Sequence, residues 1–176
     1  MQDALVFLVD TFFSLLFFVF LLRLLLQWAR ADFRNPLSQA VLRLTNWLVM
    51  PLRRALPPVG RIDTASVVAV VAVALAQVAA LYVVRGFGFP DTLDWLRLAA
   101  LEIARTVLWV YFWAIFVYAL LSMLAPGGGS PILSVLESLA EPILRPIRKA
   151  VPPIAGLDLS PLWAGIVIQV LLILLR

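Results

Sequence analysis

The chain has no cysteine and no histidine. The first absence excludes disulfides and thiolate nucleophiles, and the two together exclude Cys- or His-ligated zinc and haem iron. Loss of imidazole also removes the commonest general base. Lysine is almost missing: Lys149 is the only one, so the formal net charge of +4 is essentially an arginine charge. Charge of either sign is scarce, at 14% of residues, and it is clustered. No nucleophile stands beside a base, no glycine-rich phosphate loop opens a helix, and no carboxylates gather for a metal. Gly127-Gly-Gly129 reads as a flexible turn. The expectation is a protein that is not an enzyme, with no catalytic residue, no cofactor and no metal.

What the chain has in excess is apolar sequence. Of its 176 residues, 64% are hydrophobic, and its mean hydropathy is +1.04. A soluble domain is nearer half apolar, so this is the composition of an integral membrane protein. The apolar run that begins at Ala4 is too long for a cleaved signal peptide, lacks a basic leader and has no small-residue cleavage site. It reads as a first span over about residues 4–26, carrying Asp10 and Arg23, with Arg23 near the far interface and able to snorkel. Further spans are expected over about 64–84, 98–124 and 160–175. The second is rich in Ala and Val, which lets helices approach closely. Residues 85–97 read as a short loop on the turn chemistry of Gly86-Phe-Gly88-Phe-Pro90-Asp91.

A segment recurs. Pro51-Leu-Arg53-Arg54-Ala55-Leu-Pro57-Pro58 returns as Pro146-Ile-Arg148-Lys149-Ala150-Val-Pro152-Pro153, and Asp63 returns as Asp158. The offset is 95 residues throughout (51 to 146, 57 to 152, 63 to 158). The chain therefore reads as a tandem duplication: a first repeat over 1–85, a connecting loop over 86–97 and a second repeat over 98–176. The expected fold is an all-α membrane protein with four transmembrane helices in two tandem two-span repeats. Each repeat carries an amphipathic interfacial segment on the cytoplasmic face.

Those segments have helix grammar. Asn35-Pro36 and Ser130-Pro131 place a capping side chain before a proline at the first helical position. Leu37, Val41, Leu44 and Leu48 form an apolar stripe opposite Gln39, Arg43 and Asn46, and Ile132, Val135, Leu136, Leu139 and Ile143 form another. Both helices are expected to lie in the interface plane. Pro142 is expected to end or kink the second helix. A separate short helix is expected to open at Pro51 and at Pro146 and to end before the paired prolines. Ser160-Pro161 is expected to cap the last span. Arginine is concentrated in the two repeated segments, which the positive-inside rule places in the cytoplasm, leaving both termini outside. Two spans per repeat then relate the halves by an axis along the membrane normal, unlike inverted-repeat transporters.

The candidate binding residues are Arg53, Arg54, Arg148 and Lys149, read either as a site for anionic headgroups or a partner protein, or as topogenic charge with headgroup contact. Asp63 and Asp158 either pair with the arginine of their own motif or cap the following span. Asp10 and Arg105 share the offset and either pair across the two halves or sit separately at the interface, with Arg105 beside Glu102. Gln77 and Gln169 are read either as making single interhelical hydrogen bonds or as part of a permeation site, with the hydrogen bond the expected role. Nucleic acid is not an expected partner; anionic lipids and another membrane protein, or a second copy, are.

The run Arg23-Leu-Leu-Leu-Gln27-Trp28-Ala-Arg30-Ala-Asp32-Phe33-Arg-Asn35-Pro36 resembles the YggT family of small bacterial membrane proteins, which has plastid relatives. So do Pro51-Leu-Arg53-Arg54, Gly60-Arg-Ile-Asp63 and the echo Leu157-Asp158-Leu-Ser160-Pro161. The resemblance covers nearly the whole chain in two-copy, proteobacterial form. It implies a multi-pass protein of the bacterial inner membrane without a settled activity, linked to cell division, osmotic tolerance and assembly of membrane complexes. The second copy departs from the first: Tyr118 stands where Arg23 does, Gly127 where Asp32 does and Pro142 where Trp47 does. The functional expectation is a scaffold or assembly factor that meets lipid and partner through its two basic segments. The alternative is a small oligomeric channel or transporter answering osmotic or ionic stress.

Overall fold

The computed structural model describes residues 2–59, 63–124, 130–151 and 158–176. Among these residues there are six helices and no strand: α1 (Gln2–Trp28), α2 (Pro36–Ala55), α3 (Thr64–Val84), α4 (Thr92–Leu124), α5 (Pro131–Ala150) and α6 (Ser160–Leu174). Three of them, α1, α3 and α4, are long and apolar enough to cross a membrane. The fourth expected span, α6, is apolar but has 15 residues, a rise of roughly 22 Å against a hydrocarbon core of about 30 Å.

Helix starts follow their sequence signals in some places and depart in others. Asn35 Oδ1 accepts the Leu37 amide at 2.9 Å at the head of α2. Ser130 stands at the N-cap of α5 without a side-chain capping bond, and Asp63 does the same before α3. Ser160 is the first residue of α6 rather than its cap, a place taken by Leu159. The loop after α3 is shorter than expected. Gly86 and Gly88 take positive φ of 81° and 76°, and α4 already opens at Thr92, with the Trp95 amide on the Asp91 carbonyl at 2.8 Å. Asp94 then falls in the first turn, where a carboxylate suits the helix dipole.

The prolines do not divide α2 or α5. α2 runs unbroken through Pro51 and α5 through both Pro142 and Pro146. The separate short helices expected at Pro51 and Pro146 are therefore not formed, and of the end or kink expected at Pro142 the end is excluded. A proline inside a helix loses one i→i−4 bond. All three are exposed, so the carbonyl left without a donor can be served by solvent. Gly127-Gly-Gly129, Pro152-Pro153 and the Gly60–Ile62 part of the first motif lie outside the described residues.

Contacts divide the chain into two compact units, Met1–Leu24 with Val41–Thr106, and Leu25–Ala40 with Val107–Arg176. In the first, α1 and α3 run antiparallel: Gln2 Nε2 donates to the Val84 carbonyl at 3.2 Å, and Gln77 Nε2 reaches Ser14 Oγ at 3.1 Å. The small residues of α3 serve close packing. Ala65, Ala69 and Ala74 are fully enclosed, and α3 is 39% buried over its span window against 17% for α1 and 22% for α4. Trp95 Nε1 ties the start of α4 to the Leu75 carbonyl at 2.8 Å. In the second unit α5 packs on α6. Val135, Leu139, Ala140 and Leu144 of α5 and Ala164 and Ile168 of α6 are buried.

Candidate functional site

The two basic motifs form two clasps. In the first unit Arg53 Nη2 meets Asp63 Oδ2 at 2.6 Å while Nε reaches the same carboxylate at 3.2 and 3.3 Å. This is the planar fork-on-carboxylate geometry that arginine makes and lysine does not. Ser66 Oγ donates to Asp63 Oδ2 at 2.6 Å, and Thr64 Oγ1 donates to the Pro57 carbonyl at 2.8 Å. The end of α2 is thereby tied to the head of α3. The hydrogen bond to Asp63 raises the pKa of Arg53 above its ordinary value.

In the second unit Arg148 Nε donates to Asp158 Oδ2 at 2.7 Å, and Arg148 Nη1 pairs with Glu141 of its own helix. Asp158 Oδ1 accepts the Ser160 amide at 2.9 Å, so one carboxylate both holds the arginine and starts α6. Burial works against the charge on Arg148, and bonds to Asp158, Glu141 and Tyr118 outweigh it, so its pKa stands above the ordinary arginine value. Burial likewise pushes the Asp158 carboxyl up, but the Ser160 and Arg148 hydrogen bonds outweigh it and hold it below the usual carboxylate value.

Each basic pair is thus split. Arg53 and Arg148 are engaged by carboxylates, while Arg54 and Lys149 are exposed. On α2, Leu37 and Leu44 are exposed from the expected apolar stripe, together with Trp47 and Met50. The buried face is instead Ser38, Thr45 and Val49.

Arg23 departs most from the sequence reading. It does not snorkel; it is 1% exposed. Its Nη1 donates to Thr45 Oγ1 at 2.7 Å and Asn46 Oδ1 at 2.9 Å, and Arg53 and Asp63 act on it electrostatically. α2 lies along this end of α1 and offers polar groups, so the guanidinium turns inward. At the positions 95 residues on, Tyr118 replaces Arg23, Ala140 replaces Thr45 and Glu141 replaces Asn46. The first clasp sets Arg23 and Arg53 against Asp63; the second sets Arg148 against Glu141 and Asp158. The second place thus lacks the buried arginine of the first and has an extra carboxylate.

Other candidates are placed as follows. Asn35 Nδ2 donates to the Pro131 carbonyl at 2.8 Å. Gln77 bridges α3 to α1, reaching Asp10 Oδ1 at 3.4 Å as well as Ser14. Asp10 and Arg105 line one cavity of the first unit, with Glu102. Gln169 lines an apolar cavity of about 610 Å³ between α4 and α6. The role of Glu141 was readable only as an i,i+4 carboxylate to Arg145, which it also pairs with at 3.4 Å.

A family model described as CCB3/YggT matches residues 2–84 and 98–176. The chain is 37% identical over 170 residues to the protein YggT of Escherichia coli K12, covering 97% of this chain and 88% of that one. It is 35% identical over 172 residues to a Pseudomonas aeruginosa protein, covering 97% and 87%. It is also 37% identical over 169 residues to a Vibrio alginolyticus protein, covering 96% and 91%. None of these names states an activity. No solved structure matches the chain.

Proposed function

The chain belongs to the CCB3/YggT family, and we propose that it acts as a non-enzymatic scaffold of the bacterial inner membrane. On this reading it crosses the membrane four times in two tandem repeats, with both basic segments in the cytoplasm and both termini outside. It holds anionic headgroups and a partner membrane protein against those segments. The observation that carries the reading is the division of labour within each basic pair. One cation is consumed by an aspartate and sets the fold of the segment, while its neighbour is exposed; on α2 that neighbour, Arg54, follows the exposed Trp47 and Met50. That is the arrangement of an interfacial helix that buries its apolar side among lipid tails and sets its cations at the phosphates, each worth about 1 kcal/mol. Arg54 and Lys149 make the contact, and Arg53, Arg148, Asp63 and Asp158 shape it.

The test is the double variant Arg54→Gln/Lys149→Gln, purified beside the unaltered protein. Phosphatidylglycerol retained per chain should fall at least about fivefold, roughly 1 kcal/mol. Proteins crosslinked at these segments should be lost with it. Unchanged lipid retention together with survival of every crosslinked partner would overturn the proposal.

A further inference from the structure

A second polar site lies in the first unit, at the end of α1 and α3 away from the clasp. There the N-terminal half of α1, the C-terminal end of α3 and the start of α4 enclose a cavity of about 520 Å³. Asp10 lines it from α1, Gln77 from α3, Arg85 from just beyond α3, and Glu102 and Arg105 from α4. Gln77 is 3% exposed. Its Nε2 is used on Ser14 and Asp10, and its Oε1 is buried with no hydrogen-bond partner. Turning the amide over would set its oxygen against the Asp10 carboxylate, so the unsatisfied atom is an acceptor and it needs an N–H or O–H donor. Asp10 itself is exposed on an apolar helix read as a membrane span, where a carboxylate marks a functional site more often than a structural one.

Charge and size narrow the ligand. Two carboxylates and two guanidiniums balance, so a lone cation or anion would leave the cavity charged, whereas a group bearing one charge of each sign leaves it neutral. A volume of 520 Å³ is far above the roughly 30 Å³ share of a single water, and suits a headgroup-sized molecule. Leu81, Leu98 and Leu101 add apolar wall. We propose that the cavity binds a phosphoethanolamine-type zwitterion. Its ammonium donates to Gln77 Oε1 and Asp10, and its phosphate faces Arg85 and Arg105. The same chemistry is offered by phosphatidylethanolamine and by free phosphoethanolamine.

Native mass spectrometry of the full chain in detergent, with equal phosphatidylethanolamine and phosphatidylcholine, tests this. The trimethylammonium of the latter has no N–H to give. The ethanolamine lipid should be retained about tenfold more, the worth of one charge-assisted hydrogen bond. Gln77→Leu should abolish the preference, and Arg85→Gln, at an exposed loop position, should weaken retention of the ethanolamine lipid about threefold while the chain stays folded. Displacement by millimolar phosphoethanolamine assigns the site to the soluble compound, and lack of displacement assigns it to the lipid. Equal retention of the two lipids by the unaltered chain, or a preference untouched by both substitutions, overturns the inference.

Discussion

Arg23 illustrates how much a single side chain can contribute where few polar groups exist. It joins α1 to α2 through two short bonds, to Thr45 and to Asn46. Removing it leaves Asn46 Oδ1 without that donor and a cavity the size of a guanidinium. Arg23→Leu should lower stability by about 2–4 kcal/mol, read as an earlier thermal unfolding transition in detergent. Arg23→Lys should recover only part of this, because an ammonium cannot reproduce the planar donor geometry. The partners of Arg23 lie 22 and 23 residues away, beyond any local periodicity, which is why the sequence reads the residue as a snorkelling cation. Asp158 carries a different prediction. Its folded pKa is held below the ordinary value of 3.8, so its contribution is fully present above about pH 4 and drains away as pH falls through the folded value. Thermal stability should therefore drop on acidification below about pH 4, and Asp158→Asn should show a smaller drop, starting from a lower baseline.

Among the elements, the legible boundaries were those with unambiguous punctuation. α3 begins and ends at the expected residues 64 and 84, between an aspartate and an arginine–glycine pair that a membrane helix does not readily include. α2 and α5 open at Pro36 and Pro131, where proline has no amide to lose. The interior prolines misled because the same residue type stops a helix in a packed interior and is tolerated on an exposed face, and exposure is not written in the local sequence. The buried side of α2 was missed for a related reason: Ser38, Thr45 and Val49 look unremarkable beside the leucine stripe. Continuity through Pro51 is testable. Spin labels placed singly from 47 to 55 should give accessibility with a period of about 3.6 residues across the proline. A break in phase at Pro51 would mean two helices. Pro51→Ala should restore the missing bond and stabilise the chain by up to about 3 kcal/mol.

For the whole molecule, composition and hydropathy point to a membrane protein, and the 95-residue offset picks out both basic motifs and their aspartates while leaving pairing and capping as alternatives. What the offset conceals is their inequality. Asn46 and Glu141 occupy corresponding positions, as do Arg23 and Tyr118, and these exchanges remove a buried arginine and add a carboxylate beside an otherwise repeated Arg–Asp pair. A chain built this way has two related surfaces that need not hold the same ligand. The central claim is that Arg54 and Lys149 are outward-facing members of one surface element used twice on one side of the membrane. Because the chain has no cysteine, single substitutions Arg54→Cys and Lys149→Cys give clean probes for a membrane-impermeant maleimide. Both positions should label rapidly in inverted inner-membrane vesicles and remain protected in intact spheroplasts. Labelling of the two positions from opposite sides of the membrane would contradict the account.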